Sequence, residues 1–222
     1  MSASYLNLLL ADGRLPTGAH TQSAGVEPAL RHGLQLEAVP DYLAVRLRTV
    51  TAVEAGAAVV ARHCWGTATD RVAAVADVDA AWRSRTLSDA LRDASDLLGR
   101  SYLRLTASVW PEMAPLGTAG RPWCRAVVVG AAAAEAGLDP AATARLVAYE
   151  DVQTVIAAAL KLQPFDPTTG VGWAVAAHGE VEALVAGLEG LQAPAEIPAW
   201  AAPQIEEWGQ RHRDTERRLF RA

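Results

Sequence analysis

A chain of 222 residues, 51% apolar and 20% charged, can bury one substantial core, and that composition excludes a disordered or low-complexity protein. Its formal net charge of −5 argues against a general nucleic-acid binder, which carries a basic surface. Two cysteines, Cys64 and Cys124, build no disulfide framework and no CxxC pair.

Taken in chain order, the N-terminus has no positive n-region, and Leu8-Leu9-Leu10-Ala11 runs straight into Asp12. No secretory signal is expected there, and a cytoplasmic location is. Residues 12–22 read as an irregular loop, and Ser23 as the N-cap of a helix to about Arg31. Leu43, Leu47, Val50, Val53, Ala57, Val60 and Cys64 recur at steps of three and four, predicting one face of a long helix. After an irregular stretch near 66–70, Leu87, Leu91, Ala94, Leu98, Tyr102, Leu105 and Val109 repeat the pattern. Segment 110–122 reads as a loop whose large apolar residues pack on the helices. Val127-Val128-Val129 is the one β-branched run, and its flanking alanines make it a buried helix. The apolar run from Ala126 to Ala134 is too short for a bilayer that needs about 20 residues, so no membrane span is expected.

Asp139-Pro140 predicts a helix start, with Leu146, Tyr149, Val152, Ile156 and Leu160 on one face and a stop before Pro164. After a loop near 164–170, Trp173, Ala177, Val181, Leu184, Leu188 and Leu191 form a further helical face. Residues 192–203, with Pro198, Trp200 and Pro203, read as an extended crossing to a last helix from about Gln204 to Phe220. Gly33, Gly137 and Gly190 stand where helices stop. The sum is one all-α domain over 1–222, of about eight to ten helices.

No catalytic constellation emerges. A GxxxxGK[ST] loop is absent, and Gly170-Val171-Gly172 lacks a third glycine and a preceding strand, which reads as a turn. The histidines His20, His32, His63, His178 and His212 share no ligand spacing, and no metal or cofactor site is expected. Thr21-Gln22-Ser23-Ala24-Gly25 misses the nucleophile elbow at its first glycine and has a Pro/Gly loop before it, so a serine hydrolase using Ser23 is the rejected alternative. Acidic residues such as Asp77, Asp79, Asp93, Asp96, Glu180 and Glu182 read as solvated faces or helix starts.

Two segments exceed what a plain connection needs. One is Leu10-Ala11-Asp12-Gly13-Arg14-Leu15-Pro16-Thr17-Gly18-Ala19-His20. The other is Arg211 to Ala222, where five arginines accompany two acids and the apolar pair Leu219-Phe220. Arginine and aromatic residues anchor interfaces. The segments at about 1–22 and 204–222 are therefore expected to bind partners, through Arg14, Pro16, Gly18, His20, His212, Arg218, Leu219 and Phe220.

The stretch Leu8 to His20, continuing through Ser23, Gly25, Val26 and Glu27, resembles the N-terminal signature of the urease accessory protein UreF family. Leu91-Arg92-Asp93-Ala94 with Leu98 to Leu105 is similar to that family's central segment, Lys161-Leu162-Gln163-Pro164 to its Lys-Leu-x-Pro turn, and His212 with Arg218-Leu219-Phe220 to its tail. The chain departs from the pattern at Ala19, Thr21, Gln22 and Arg213. The resemblance implies an all-α homodimer without enzymatic activity. It also implies a chaperone that joins the accessory protein UreD (also called UreH) and the GTPase UreG in inserting nickel into apo-urease. The alternative among binding proteins is a helical adaptor or regulator of another GTPase or assembly complex.

Overall fold

Small residues decide how the centre of this molecule is built. The computed structural model describes residues 2–213, 215, 219 and 220, and among them it is all helical, with no strand. In chain order the helices are α1 (Ala3–Leu10), α2 (Val26–Arg31), α3 (Val39–Arg48), α4 (Val50–Thr67), α5 (Arg71–Arg85) and α6 (Asp89–Val109). There follow α7 (Ala114–Thr118), α8 (Arg125–Glu135), α9 (Pro140–Leu162), α10 (Pro167–Ala176), α11 (His178–Leu188) and α12 (Pro203–Arg213). Ten of these have eight residues or more, within the expected number, and none is long and apolar enough to cross a membrane among the described residues.

Helix α4 runs through the middle and packs against α5, α8 and α9. Its inward surface is mostly Ala52, Ala55, Gly56, Ala57, Ala58 and Ala61, and α8 answers with Ala126, Gly130, Ala131, Ala132 and Ala133, all buried. Such residues let backbones approach closely. A Cβ added at Gly130 would lie 2.3 Å from the Ala58 carbonyl oxygen. Val127, Val128 and Val129 are buried in α8, as the alanine-rich flanks indicate. Met113 and Leu116 tie segment 110–122 to the same core, although that segment contains a 3-10 turn (Pro111–Met113) and α7 where a loop was expected.

Side-chain caps mark several starts: Ser88 at α6, Asp166 at α10, and Asp139, which accepts the Ala142 N–H at 2.7 Å, at α9. Helix α9 ends at Leu162, as Pro164 requires. Gly33 and Gly137 take the left-handed conformation that stops α2 and α8. Gly190 follows α11 with no such conformation.

Several expectations are corrected. The predicted long helix over Leu43–Cys64 is two, α3 and α4, broken at Thr49. The Thr49 N–H turns back to Arg46 and its hydroxyl donates to the Val45 carbonyl, so the chain bends there. The face through Trp173 and Leu188 is divided between α10 and α11 at Ala177. Gly170 and Gly172 lie inside α10 and not in a turn; Gly170 is small enough to sit against Ile156. Asp79 is fully buried, where it takes Arg83 and the Cys124 N–H.

Most telling is α6. The expected core face, from Leu87 to Val109, is largely turned outward: Leu87 and Val109 are exposed, and Leu91, Leu98 and Leu105 are half-buried. The face that packs is Ala90, Ser95, Gly99, Tyr102 and Thr106. Gly99 is the reason, because a Cβ there would meet the Trp123 carbonyl oxygen at 2.1 Å. Helix α6 approaches segment 123–125 along its smallest residues, and no leucine face could come so near.

Gly99→Ala is therefore expected to lower unfolding free energy by about 1–3 kcal/mol or more, as overpacking does. Gly187→Ala, on α11 with nothing near its Cβ position, should be neutral or stabilise by up to about 1 kcal/mol. Paired denaturant titrations of the two variants check both signs.

Candidate partner-binding site

The two segments singled out above lie almost 200 residues apart in sequence, and a single carboxylate joins them. The loop into α2 passes through Ala24 (φ 50°) and Gly25 (φ 78°), both left-handed. Gly25 is required twice over, since a Cβ there would also lie 2.7 Å from the Tyr42 hydroxyl. Burial pushes the Tyr42 phenol up to about 12, so it stays protonated and donates to the Ala24 carbonyl at 2.6 Å. The N-cap of α2 is Gly25 without a side-chain bond, which corrects the capping role expected of Ser23.

This turn places Glu27 in the first turn of α2 with its side chain fully buried. Its carboxylate accepts the backbone N–H of Leu219 at 2.9 Å and of Phe220 at 2.8 Å. Arg31 adds an ion pair at 3.0 Å. His212 Nε2 lies 3.2 Å from the same carboxylate and 3.1 Å from the Phe220 carbonyl oxygen. Both neighbours are acceptors, so Nε2 carries the proton. The Phe220 ring is buried in the cluster that includes Val26, Ala29 and Tyr42, and the Lys161 ammonium stands 5.4 Å from its centroid, a cation–π distance.

The predicted last helix is thereby shortened. Helix α12 ends at Arg213 among the described residues, and Leu219-Phe220 form a bend. Their N–H groups go to Glu27, and a helix would have spent them on its own carbonyls. His212, expected from sequence to bind partners, is 2% exposed.

On the other side, Asp12 braces the N-terminal loop. Its carboxylate takes the Arg14 N–H at 3.0 Å and the guanidinium at 2.6 Å. These hydrogen bonds from Arg14 hold the Asp12 carboxyl at about 2. Gly18 (φ 82°) turns the chain beside Leu98 and Ser101 of α6. A cleft of about 250 Å³ opens between this loop and α9, lined by Asp12, His20, Gln22, Tyr149, Lys161 and Phe220 among others.

The eight residues expected to bind partners thus separate. Arg14, Pro16, His20 and Leu219 are exposed, and Gly18 is half-buried. His212 and Phe220 are interior, and Arg218 lies outside the described residues. Beside this loop, α6 approaches Gly18 through Leu98 and Ser101. Sequence reasoning gave Glu27 no role, although a glutamate beside apolar Val26 and Pro28 was a signal that the acid needs buried partners.

Ser23 is fully buried, and its hydroxyl has no hydrogen-bond partner among the described residues, so no base stands beside it. Among the described residues no three His, Cys, Asp or Glu side chains converge as a metal site.

The UreF family model matches residues 35–178. The urease accessory protein UreF of Mycobacterium sp. (strain JLS) is 39% identical over 223 residues, covering 96% of each chain. The protein of that name from Mycolicibacterium vanbaalenii is 35% identical over 99% of each. The chain belongs to the UreF family of urease accessory proteins. A third relative, UreF of Mycobacterium marinum, is 36% identical over 170 residues. The UreF family model covers the helices from α3 to α10, while the N-terminal loop and the tail, joined at Glu27, fall outside it and within the full-length relatives.

Glu27→Ala should release the tail. It leaves buried donors unmet, at a cost of about 3 kcal/mol, and the Leu219 and Phe220 amides should exchange hydrogen at least about tenfold faster; Glu37→Ala, on an exposed site, should do neither. Exchange measured by NMR or mass spectrometry decides it. The same NMR samples test the loop brace. Asp12 should titrate at about 2 and return toward the ordinary value of about 3.9 in Arg14→Ala. The Asp12 bond is therefore complete above about pH 4 and is lost only as pH falls through the lowered value.

Proposed function

We propose that this chain is a non-enzymatic chaperone that, with UreD/UreH and the GTPase UreG, assembles the nickel centre of apo-urease in the cytoplasm, acting as a homodimer. The observation that carries this reading is the full-length similarity to urease accessory proteins. The Glu27 junction supports it further, because it brings the N-terminal and C-terminal segments that resemble the family into contact. GTP chemistry in this scheme belongs to UreG, since no phosphate-cradling loop occurs in this sequence.

Within that scheme the partner-binding residues divide by mechanism. Arg14, Pro16, His20 and Leu219 contact partners directly. His212, Phe220 and Gly18 hold the two segments in shape, and Arg218 belongs to the docking tail. Truncating an interface anchor typically costs roughly 2 kcal/mol, about thirtyfold in affinity.

Leu219→Asp is expected to weaken co-purification with UreG and UreD by about that factor, with little change in melting temperature, because the side chain is 62% exposed. Phe220→Ala should lower both, since the ring is part of the core. Urease activation in cells lacking the native protein gives the functional readout. Normal complex formation by Leu219→Asp, or failure of the unaltered chain to co-purify with either partner, would overturn the respective part of the reading.

A further inference from the structure

Helix α9 stops at Leu162 because Pro164 follows, and this leaves Lys161 in its last turn. Lys161 is the one lysine of the chain. It is exposed and lines the cleft between α9 and the N-terminal loop. Phe220 lines the same cleft, and the Lys161 ammonium stands 5.4 Å from the centroid of its ring. Among the described residues that ammonium has no carboxylate partner. The acids of the cleft are already committed, Asp12 to Arg14 and Glu150 to Arg125 and Tyr102.

A cation near an aromatic face is attracted by the ring's quadrupole, and a neutral side chain of similar length lacks that attraction. The other account of a lysine in a last helical turn is its attraction to the helix's own terminal carbonyls. That account places the benefit in α9 and leaves the tail indifferent to the charge. Here the ring belongs to the residue whose N–H Glu27 holds. Anything that steadies the ring therefore steadies the bend at Leu219-Phe220.

We propose that Lys161 is a positioning residue for the tail: its positive charge holds the Phe220 ring while Glu27 holds the backbone. The turn Lys161-Leu162-Gln163-Pro164 then has a task inside this molecule, which is to end α9 where a cation reaches the tail. The consequence for partners, a Leu219 side chain held in one orientation, rests on the docking reading given above. The seat of Phe220 does not.

Amide hydrogen exchange of the full chain, followed by NMR in Lys161→Gln and Lys161→Arg, tests the proposal. Lys161→Gln keeps a polar side chain without the charge, and the Leu219 and Phe220 amides should exchange about two- to fivefold faster. Lys161→Arg keeps the charge and should exchange as the unaltered chain does. Treating the unaltered chain with the N-hydroxysuccinimide ester of acetic acid gives a second route. Its acetyl group forms an amide with Nζ of the single lysine and with the α-amino group, and N-hydroxysuccinimide leaves. The acetylated chain should match Lys161→Gln, whereas acetylated Lys161→Arg should keep slow tail exchange. Unchanged tail exchange in Lys161→Gln overturns the proposal, as does acceleration confined to the last turn of α9, or failure of Lys161→Arg to preserve the slow rate. Exchange is read in the free chain, so the outcome does not depend on whether UreG or UreD binds.

Discussion

Arg125 is the charge around which the helices are set. It stands at the first position of α8 and reaches Glu54 on α4 and Glu150 on α9. Its own N–H is held by the Ser95 hydroxyl of α6 at 2.9 Å. The two acids reach further, Glu54 to the Trp82 indole and Glu150 to the Tyr102 hydroxyl. Burial works against the charge on Arg125, and Glu150 and Glu54 outweigh it, so the guanidinium stays ionised. Burial likewise pushes the Glu54 carboxyl up while Arg125 pulls it down. A buried group of this kind is weak evidence of net stability, yet removing one member strands the others. The group joins α4, α5, α6, α8 and α9 at one place.

That arrangement forces the helices close together, and small residues make the closeness possible. Gly130 against Ala58 and Gly99 against Trp123 leave no space for a side chain. The larger apolar residues of α6 are displaced outward as a consequence. Leu98, on the edge of the packed face, then lies beside Gly18 of the N-terminal loop.

The tail follows the opposite logic. Phe220 is tied into the core by its ring and by its backbone, which Glu27 holds through charge-assisted hydrogen bonds. The neighbouring Leu219 shares that backbone anchor but turns its side chain to solvent. One short segment therefore holds one apolar side chain inside and one outside. The sequence expectation that both stand free as an apolar pair fails for Phe220, whose ring is buried.

Sequence alone determined what depends on local chemistry. The all-α class follows from three-to-four periodicity, the start of α9 from Asp139-Pro140, its stop from Pro164, and the helical state of Val127–Val129 from their alanine neighbours. The family was legible too, in anchors spread from Leu8 to Phe220. Only the tertiary structure decided which face of α6 packs, since an apolar stripe says that a face is greasy and not that a neighbour can reach it. It alone turned Asp79, Glu54, Glu150 and Glu27 inward, because a carboxylate is buried only where distant arginines and N–H groups arrive to meet it. Arg46 and Leu219-Phe220 likewise take their roles from partners about 100 to 190 residues away. No local pattern can announce such partners; the packing of the whole chain supplies them.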